Sequence, residues 1–132
     1  MEVRGADSVS LEQTAALVAL WRGLLYDESS LDAALGLVPR LSFAEHLAFH
    51  EEAQRNGLRG KLQRTSIAAM ALEMVHLARV GLQHLDPGDV PLLEPLEARA
   101  RSGRSPAEDV LDAFREETSP ARFLARFALV RS

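Results

Sequence analysis

One segment constrains the fold more than any other: between residues 67 and 85, apolar residues recur at intervals of three and four positions. This period places them on one face of an α-helix of about five turns. Thr65 or Ser66 is predicted to cap this helix at its N-terminus, and Asp86 with Pro87 begins a turn after it. We therefore predict a long amphipathic helix. Its apolar positions are Ile67, Met70, Ala71, Met74, Leu77, Ala78, Gly81, Leu82 and Leu85.

Composition extends this prediction to the whole chain. Hydrophobic residues make up 47% of the 132 positions. They are mostly Leu and Ala with few β-branched residues, which favours helices over sheets. A chain of this length is large enough to bury one core, so we expect a single helical domain over residues 1–132. The predicted fold class is all-α: a compact bundle of about six helices that follows a short extended segment at residues 1–10.

Charge and cysteine content narrow the classes of function. With 15 basic and 19 acidic residues, the chain has a net charge of −4, which disfavours nucleic acid as a partner. The sequence has no cysteine, which excludes a thiolate nucleophile and fits a cytoplasmic protein. The first residues are too polar for a signal peptide, and no apolar run reaches the roughly 18 residues of a membrane span. We therefore predict a cytoplasmic protein that binds neither nucleic acid nor membrane.

Capping residues and prolines divide the first half of the chain into further helices. Residues 11–25 are apolar around most of the helical wheel, which predicts a helix that is covered on more than one side. Ser30 is predicted to cap a short helix that Pro39 ends. Ser42 and Glu45 have the spacing of a capping box and begin the third helix.

The second half of the chain contains similar signals. Gly57 is predicted to end the third helix, and residues 57–64 to form a basic loop. Pro91 is predicted to occupy the first position of a helix after the turn. The Ser105–Glu108 segment combines a capping box with a proline and begins another helix. Ser119–Pro120 is the same cap-and-proline signal and begins the last short helix.

Two pairs of side chains have spacings that metal sites use. His46 and His50 are four positions apart and leave the same face of the third helix. Glu73 and His76 have the three-residue offset that di-iron helical bundles use twice. A metal-binding helical bundle built from these four residues is one hypothesis. The alternative is that both pairs lie on solvated helix faces, and we favour it because each pair lacks the further ligands of its site.

The predicted loop at residues 57–64 carries three cations. Arg59, Lys61 and Arg64 would suit the phosphates of a nucleotide, but the segment lacks the glycine pattern of a phosphate-binding loop. A solvated basic loop is the alternative interpretation.

Three segments, taken in order, resemble one known family. Their order and spacing are similar to the C-terminal region of plant-type and proteobacterial glutamate-cysteine ligases, and the resemblance covers roughly residues 1–113. After Phe114 the chain departs from the family's pattern. The three segments are Glu2-Val3-Arg4-Gly5-Ala6-Asp7, Trp21-Arg22-Gly23-Leu24-Leu25-Tyr26-Asp27 and Ser102-Gly103-Arg104-Ser105-Pro106-Ala107-Glu108.

The resemblance implies a ligase that uses ATP and magnesium to activate glutamate as a γ-glutamyl phosphate, which the amine of cysteine then attacks. In the family, the groups that hold ATP and metal come mainly from an antiparallel sheet that precedes the matched region. We therefore expect no ATP, magnesium, metal ligand or catalytic residue in this chain. We expect a fragment, a shortened relative or one half of a split enzyme, inactive when alone.

The resemblance also points to two substrate-binding candidates. Arg4 lies in the segment that resembles a strand of the catalytic sheet, and a guanidinium suits a carboxylate or phosphate. The alternative for Arg4 is an ion pair with Glu2 or Asp7. Tyr26 is the second candidate, and a core or interface position is its alternative. The other polar residues of these segments are interpreted as helix caps: Asp27, Ser105 and Glu108.

The motifs and the family resemblance leave three alternative functions. The first is a partial or split glutamate-cysteine ligase whose helical region supports the catalytic sheet. The second is a non-catalytic helical interaction module that has kept the ligase's helical region, and the third is the metal-binding bundle. The apolar helix at residues 11–25 needs cover, so we expect the missing N-terminal catalytic region or a second copy of the chain as partner.

Overall fold

The computed structural model describes residues 10–37, 41–117 and 119–127. Within these ranges the prediction of a compact all-α fold is confirmed, with seven α-helices where about six were expected. The extended segment predicted at residues 1–10 and the stop at Pro39 fall almost entirely outside the described residues. The α-helices are α1 (Leu11–Leu25), α2 (Glu28–Leu37), α3 (Phe43–Asn56), α4 (Ile67–Leu85), α5 (Glu94–Ser102), α6 (Pro106–Glu116) and α7 (Pro120–Phe127).

Three of the predicted caps are confirmed at the start of α3, α4 and α6. The Glu45 carboxylate accepts a hydrogen bond from the Ser42 amide at 2.8 Å, and the Ser42 hydroxyl accepts one from the Glu45 amide. The Ser66 hydroxyl caps α4, and Ser105 with Glu108 forms the second capping box. Each cap satisfies backbone amides that the first turn of a helix leaves unpaired.

The prediction that Ser30 caps α2 is wrong. The helix begins at Glu28, and the Asp27 carboxylate accepts hydrogen bonds from the Ser30 amide at 2.8 Å and the Ser29 hydroxyl at 2.6 Å. Asp27 is the stronger cap because its charge also favours the positive end of the helix dipole. Ser30 is instead buried inside the helix.

Two other local predictions need correction. Pro91 does not begin an α-helix but lies inside a 3-10 helix, Pro87–Leu93, since the Asp86 side chain already caps a turn at this point. The predicted loop at residues 57–64 contains a 3-10 helix, Gly57–Arg59, and a small hairpin. The hairpin pairs strand β1 (Lys61–Leu62) with strand β2 (Thr65–Ser66) in antiparallel register.

The centre of the fold is the crossing of α1 and α4, where the two backbones touch. A Cβ atom on Gly81 would overlap the carbonyl oxygen of Gly23, and one on Gly23 would overlap the carbonyl oxygen of Ala78. Ala16 and Ala19 continue the row of small, buried residues along α1. The crossing therefore requires glycine, because any larger residue would hold the helices apart.

Around this crossing, α4 contacts α1, α2, α5 and both 3-10 helices. Its long apolar face is the centre of the core, as its sequence period predicts. By contrast, α3 packs on the hairpin and buries none of its residues fully. The described residues include no helix with the length and apolarity to span a bilayer. The core cluster consists of Ala19, Leu24, Ala34, Val75, Ala78, Leu82 and Leu93.

Replacing Gly81 with alanine tests the crossing. The added methyl group would overlap Gly23, so we expect the free energy of unfolding to fall by about 1–3 kcal/mol. Gly36→Ala is the matched control, since a Cβ there would meet nothing within 4 Å and alanine favours a helix. Urea unfolding followed by circular dichroism measures both variants. Equal stability of the two would contradict the backbone contact.

Replacing Asp27 with asparagine tests the α2 cap through pH. Hydrogen bonds from Ser29, His84 and Ser30 hold the pKa of Asp27 well below its ordinary value. A lowered carboxyl pKa stabilises the fold above the unfolded pKa of about 3.9, and this stability is lost as pH falls. The wild type should therefore be more stable than Asp27→Asn at pH 6, and the difference should shrink towards pH 2. Asp32→Asn, an exposed position of α2 with the same change in charge, is the matched control, and thermal unfolding measures both variants.

Candidate functional site

The segment Trp21–Asp27 ends α1 and begins α2, and most of its residues hold the fold together. Gly23 touches α4, and Leu24 is buried in the core. The Arg22 guanidinium forms an ion pair with Asp89 in the second 3-10 helix and lies 3.8 Å from the carboxylate of Asp86, which caps that helix. These contacts give most of the segment a structural role.

Asp27 joins this junction to the C-terminal end of α4. Its carboxylate lies 2.8 Å from Nδ1 of His84, in addition to the two bonds that cap α2. The sequence predicts the cap but not the contact with His84, because the two residues are 57 positions apart and no local pattern connects them. This pair connects the C-terminal ends of α1 and α4 and the N-terminal end of α2 at the surface.

Tyr26 differs from its neighbours because its side chain has no structural partner. Its amide closes α1 by donating to the Arg22 carbonyl at 3.2 Å, but its side chain is 76% exposed. Within the described residues its phenol meets no hydrogen-bond partner. The core interpretation of Tyr26 is therefore wrong, and the phenol is open to a ligand or a partner. Arg4, the other predicted binding residue, lies outside the described residues.

The outer side of α1 is uncharged along its length and apolar at every position of the stripe except Thr14. Its residues follow one another at alternating intervals of three and four, so they share one face, and none of them is charged. Leu11 and Val18 are exposed, and Trp21 and Leu25 are only half-buried. We call Leu11, Thr14, Val18, Trp21 and Leu25 the α1 outer face.

A cleft of about 270 Å³ opens between α4 and α5. Glu97 bridges two arginines in it: one carboxylate oxygen pairs with Arg79, and the other accepts from Arg101 at 2.6 Å. The bond from Arg101 and the charge of Arg79 hold the pKa of Glu97 below its ordinary value. Because Glu97 engages both arginines and Glu73 adds a second carboxylate to the lining, the cleft is better suited to joining α4 and α5 than to binding an anion. Its lining is Leu72, Glu73, Val75, His76, Arg79, Glu97 and Arg101.

The residues of the two predicted metal pairs are exposed and are not brought together. His46 and His50 lie on α3, and Nε2 of His50 is 3.0 Å from Nε2 of the Gln54 side chain. Glu73 and His76 lie at the cleft between α4 and α5. In residues 10–37, 41–117 and 119–127, no three histidine or acidic side chains are arranged to hold a metal ion. The solvated-face interpretation fits this placement.

The cations of the predicted basic loop do not form a phosphate site together. Arg59 forms an ion pair with Glu108 of α6, and Arg64 lies exposed in the hairpin turn. Lys61 is exposed too, and its amide donates to the Glu52 carboxylate at 3.3 Å. The loop therefore connects α3, the hairpin and α6.

The Ser102–Glu108 segment forms the break between α5 and α6. Gly103 ends α5 in the left-handed conformation, with φ of 66°, which glycine adopts without strain. The Arg104 guanidinium donates to Asp112 at 2.6 Å, and Glu108 caps α6 through the Ser105 amide at 2.8 Å. This segment, like Trp21–Asp27, is thus explained by helix termination and ion pairing.

Comparisons with known proteins agree with the family that the Trp21–Asp27 and Ser102–Glu108 segments resemble. The model of glutamate-cysteine ligase family 2 (GCS2) matches residues 1–125. The chloroplastic glutamate-cysteine ligase of Brassica juncea is 32% identical over 117 residues, which are 89% of this chain and 23% of the ligase. The Arabidopsis thaliana ligase is 31% identical over 117 residues, and the Nicotiana tabacum ligase 29% identical over 114; this chain spans 22% of each. Because the family model covers nearly all of it, the chain belongs to glutamate-cysteine ligase family 2.

Proposed function

We propose that this chain is the helical part of a glutamate-cysteine ligase and that it supports the formation of γ-glutamylcysteine by the whole enzyme. The observation that carries the proposal is the α1 outer face, an uncharged apolar stripe on the helix that contains the Trp21–Asp27 segment. An apolar face of this kind is typical of a surface that another part of a protein covers. The chain spans less than a quarter of the relatives it matches, so the larger part of such a ligase is available to cover it.

The charges of the described residues support an accessory role. A ligase of this kind must hold the phosphates of ATP with cations and its magnesium ions with carboxylates. Here five arginines and five acids neutralise each other in pairs, so these ten groups are not free for that task. ATP and magnesium do not fit these paired groups, and we derive no step of the reaction from them. The pairs are Arg22–Asp89, Arg59–Glu108, Arg79–Glu97, Arg99–Asp109 and Arg104–Asp112.

Within the whole enzyme we propose a direct role for Tyr26 and Arg4 at the substrate. Tyr26 stands at the end of the α1 outer face, so a partner docked on this face would lie beside its exposed phenol. Arg4 belongs to the segment just before α1. A cytoplasmic location, suggested by the cysteine-free composition, is also part of the proposal, although the relatives named above are chloroplastic.

A reconstitution experiment tests the proposed function. Alone, the purified chain should release no phosphate from ATP and magnesium in the presence of glutamate and cysteine. Mixed with the Brassica juncea ligase shortened by the part that this chain matches, it should restore phosphate release that depends on both amino acids. Val18→Glu in the α1 outer face should lower the restored rate at least about tenfold, since burying a charge on this face is unfavourable.

Leu35→Glu is the control for this variant, because Leu35 on α2 is 64% exposed and Val18 is 63% exposed. It should leave the restored rate unchanged. Turnover by the chain alone would contradict the accessory role. Binding of the shortened ligase without any restored turnover would favour the alternative, a non-catalytic interaction module.

Tyr26→Phe tests the proposed contact with substrate in the reconstituted enzyme. Loss of one hydrogen bond should raise KM for glutamate or cysteine by about threefold to tenfold. The thermal stability of the chain should not change, since the phenol is exposed and has no partner among the described residues. Unchanged steady-state constants for both amino acids would remove Tyr26 from the binding site.

A further inference from the structure

The linker between α1 and α2 is two residues long and contains Tyr26, whose phenol is open to a ligand. Tyr26 and Asp27 lie between Leu25, the last residue of α1, and Glu28, the first residue of α2. A linker this short transmits any movement of either helix end to the Tyr26 backbone. The direction in which the phenol leaves the fold therefore depends on how firmly these two helix ends are held.

The Asp27–His84 pair lies about one helical turn beyond the closest contact in the fold. Asp27 follows Gly23 by four positions, and His84 follows Gly81 by three. The backbones of α1 and α4 touch at these two glycines. The pair therefore extends the contact between α1 and α4 to the linker that contains Tyr26.

His84 attaches the Asp27 carboxylate to a different part of the fold. The Ser29 hydroxyl and the Ser30 amide also donate to this carboxylate, but both residues belong to α2 and move with it. Nδ1 of His84, at 2.8 Å, lies at the end of α4. Among the described residues, this is the only hydrogen bond that joins the Asp27 side chain to another helix.

The chemistry of this bond makes it a strong attachment for a surface position. The Asp27 carboxylate is ionised at neutral pH, because its hydrogen bonds hold its pKa below the ordinary value. An ionised carboxylate only accepts, so Nδ1 of His84 is the donor, and the bond is charge-assisted. The Asp27 side chain is 14% exposed, so water competes less for it than for a carboxylate on the open surface.

We propose that His84 is a positioning residue for Tyr26: through Asp27 it holds the linker, so that the exposed phenol keeps one orientation towards substrate. In this role His84 does not contact substrate itself. The step from orientation to substrate rests on the proposed function, whereas the step from His84 to the linker is a property of this chain alone. A contact made from a fixed backbone loses less entropy on binding, so the expected effect is on KM.

NMR of the isolated chain tests the step from His84 to the linker. Tyr26 is the only tyrosine of the sequence, so labelling tyrosine with 15N gives a single backbone amide signal. Its order parameter should be about 0.85 in the wild type and should fall below about 0.6 in His84→Ala. His84→Asn should restore it, because the asparagine amide can donate from a position similar to Nδ1.

His76→Ala is the matched control for His84→Ala. His76 also lies exposed on α4, eight positions before His84, and it lines the cleft with α5. This variant should leave the order parameter of Tyr26 unchanged. Circular dichroism should show a folded chain for every variant at the temperature of the NMR measurement.

Steady-state kinetics of the reconstituted enzyme test the step to substrate. His84→Ala should raise KM about threefold for the amino acid that Tyr26→Phe affects, with kcat nearly unchanged, and His84→Asn should restore the KM. In the Tyr26→Phe background, His84→Ala should raise KM no further, because the contact through which it acts is already lost. A residue that only stabilised the fold would act equally in both backgrounds.

Two results would overturn the proposal. One is an order parameter of Tyr26 that His84→Ala leaves unchanged, and the other is a rise in KM that persists in the Tyr26→Phe background. A reconstituted mixture without turnover would contradict the proposed function alone, since the amide signal of Tyr26 would still confirm or contradict the positioning by His84.

Discussion

The backbone contact between Gly23 and Gly81 is the constraint on which the rest of the structure depends. It brings α1 and α4 closer than side chains would allow, and alanines extend the contact along both helices. With its small residues at the crossing and Leu24 in the core, α1 leaves Leu11 and Val18 exposed on its outer side. The close crossing and the α1 outer face are therefore two consequences of one arrangement of residues along a single helix.

Ion pairs, together with the packing of Leu96 and the buried Ala100 of α5, attach the C-terminal helices to this crossing. Arg79 with Glu97 joins α4 to α5, and Arg99 with Asp109 joins α5 to α6. Partly exposed ion pairs of this kind add little stability each, but they determine orientation, because every pair requires a particular side of each helix. They turn the acidic side of α6 inward, and its apolar side is consequently exposed.

The same pairing gives many charged groups of this ligase family member a structural role. Guanidinium and carboxylate groups that neutralise each other hold helices together, whereas phosphoryl activation requires them to be free for phosphate and metal. Outside these pairs, Tyr26 provides an exposed polar group in a segment that otherwise serves the fold. This distribution of paired charges supports the proposal that the chemistry takes place in one part of the enzyme and that the helical part supports it.

The sequence by itself determined the helices and the family. Serine caps such as Ser42 and Ser66 act within one turn, so local spacing predicts them, and the apolar period of α4 identifies the central helix. Two capping signals competed at Asp27 and Ser30, and local spacing did not rank them; in the structure Asp27 is the cap and also contacts His84. The direction of the apolar faces was decided only by the tertiary structure. The same helical spacing of apolar residues fits a stripe that is buried or one that is exposed. Contacts between residues far apart in the chain determine which of the two forms.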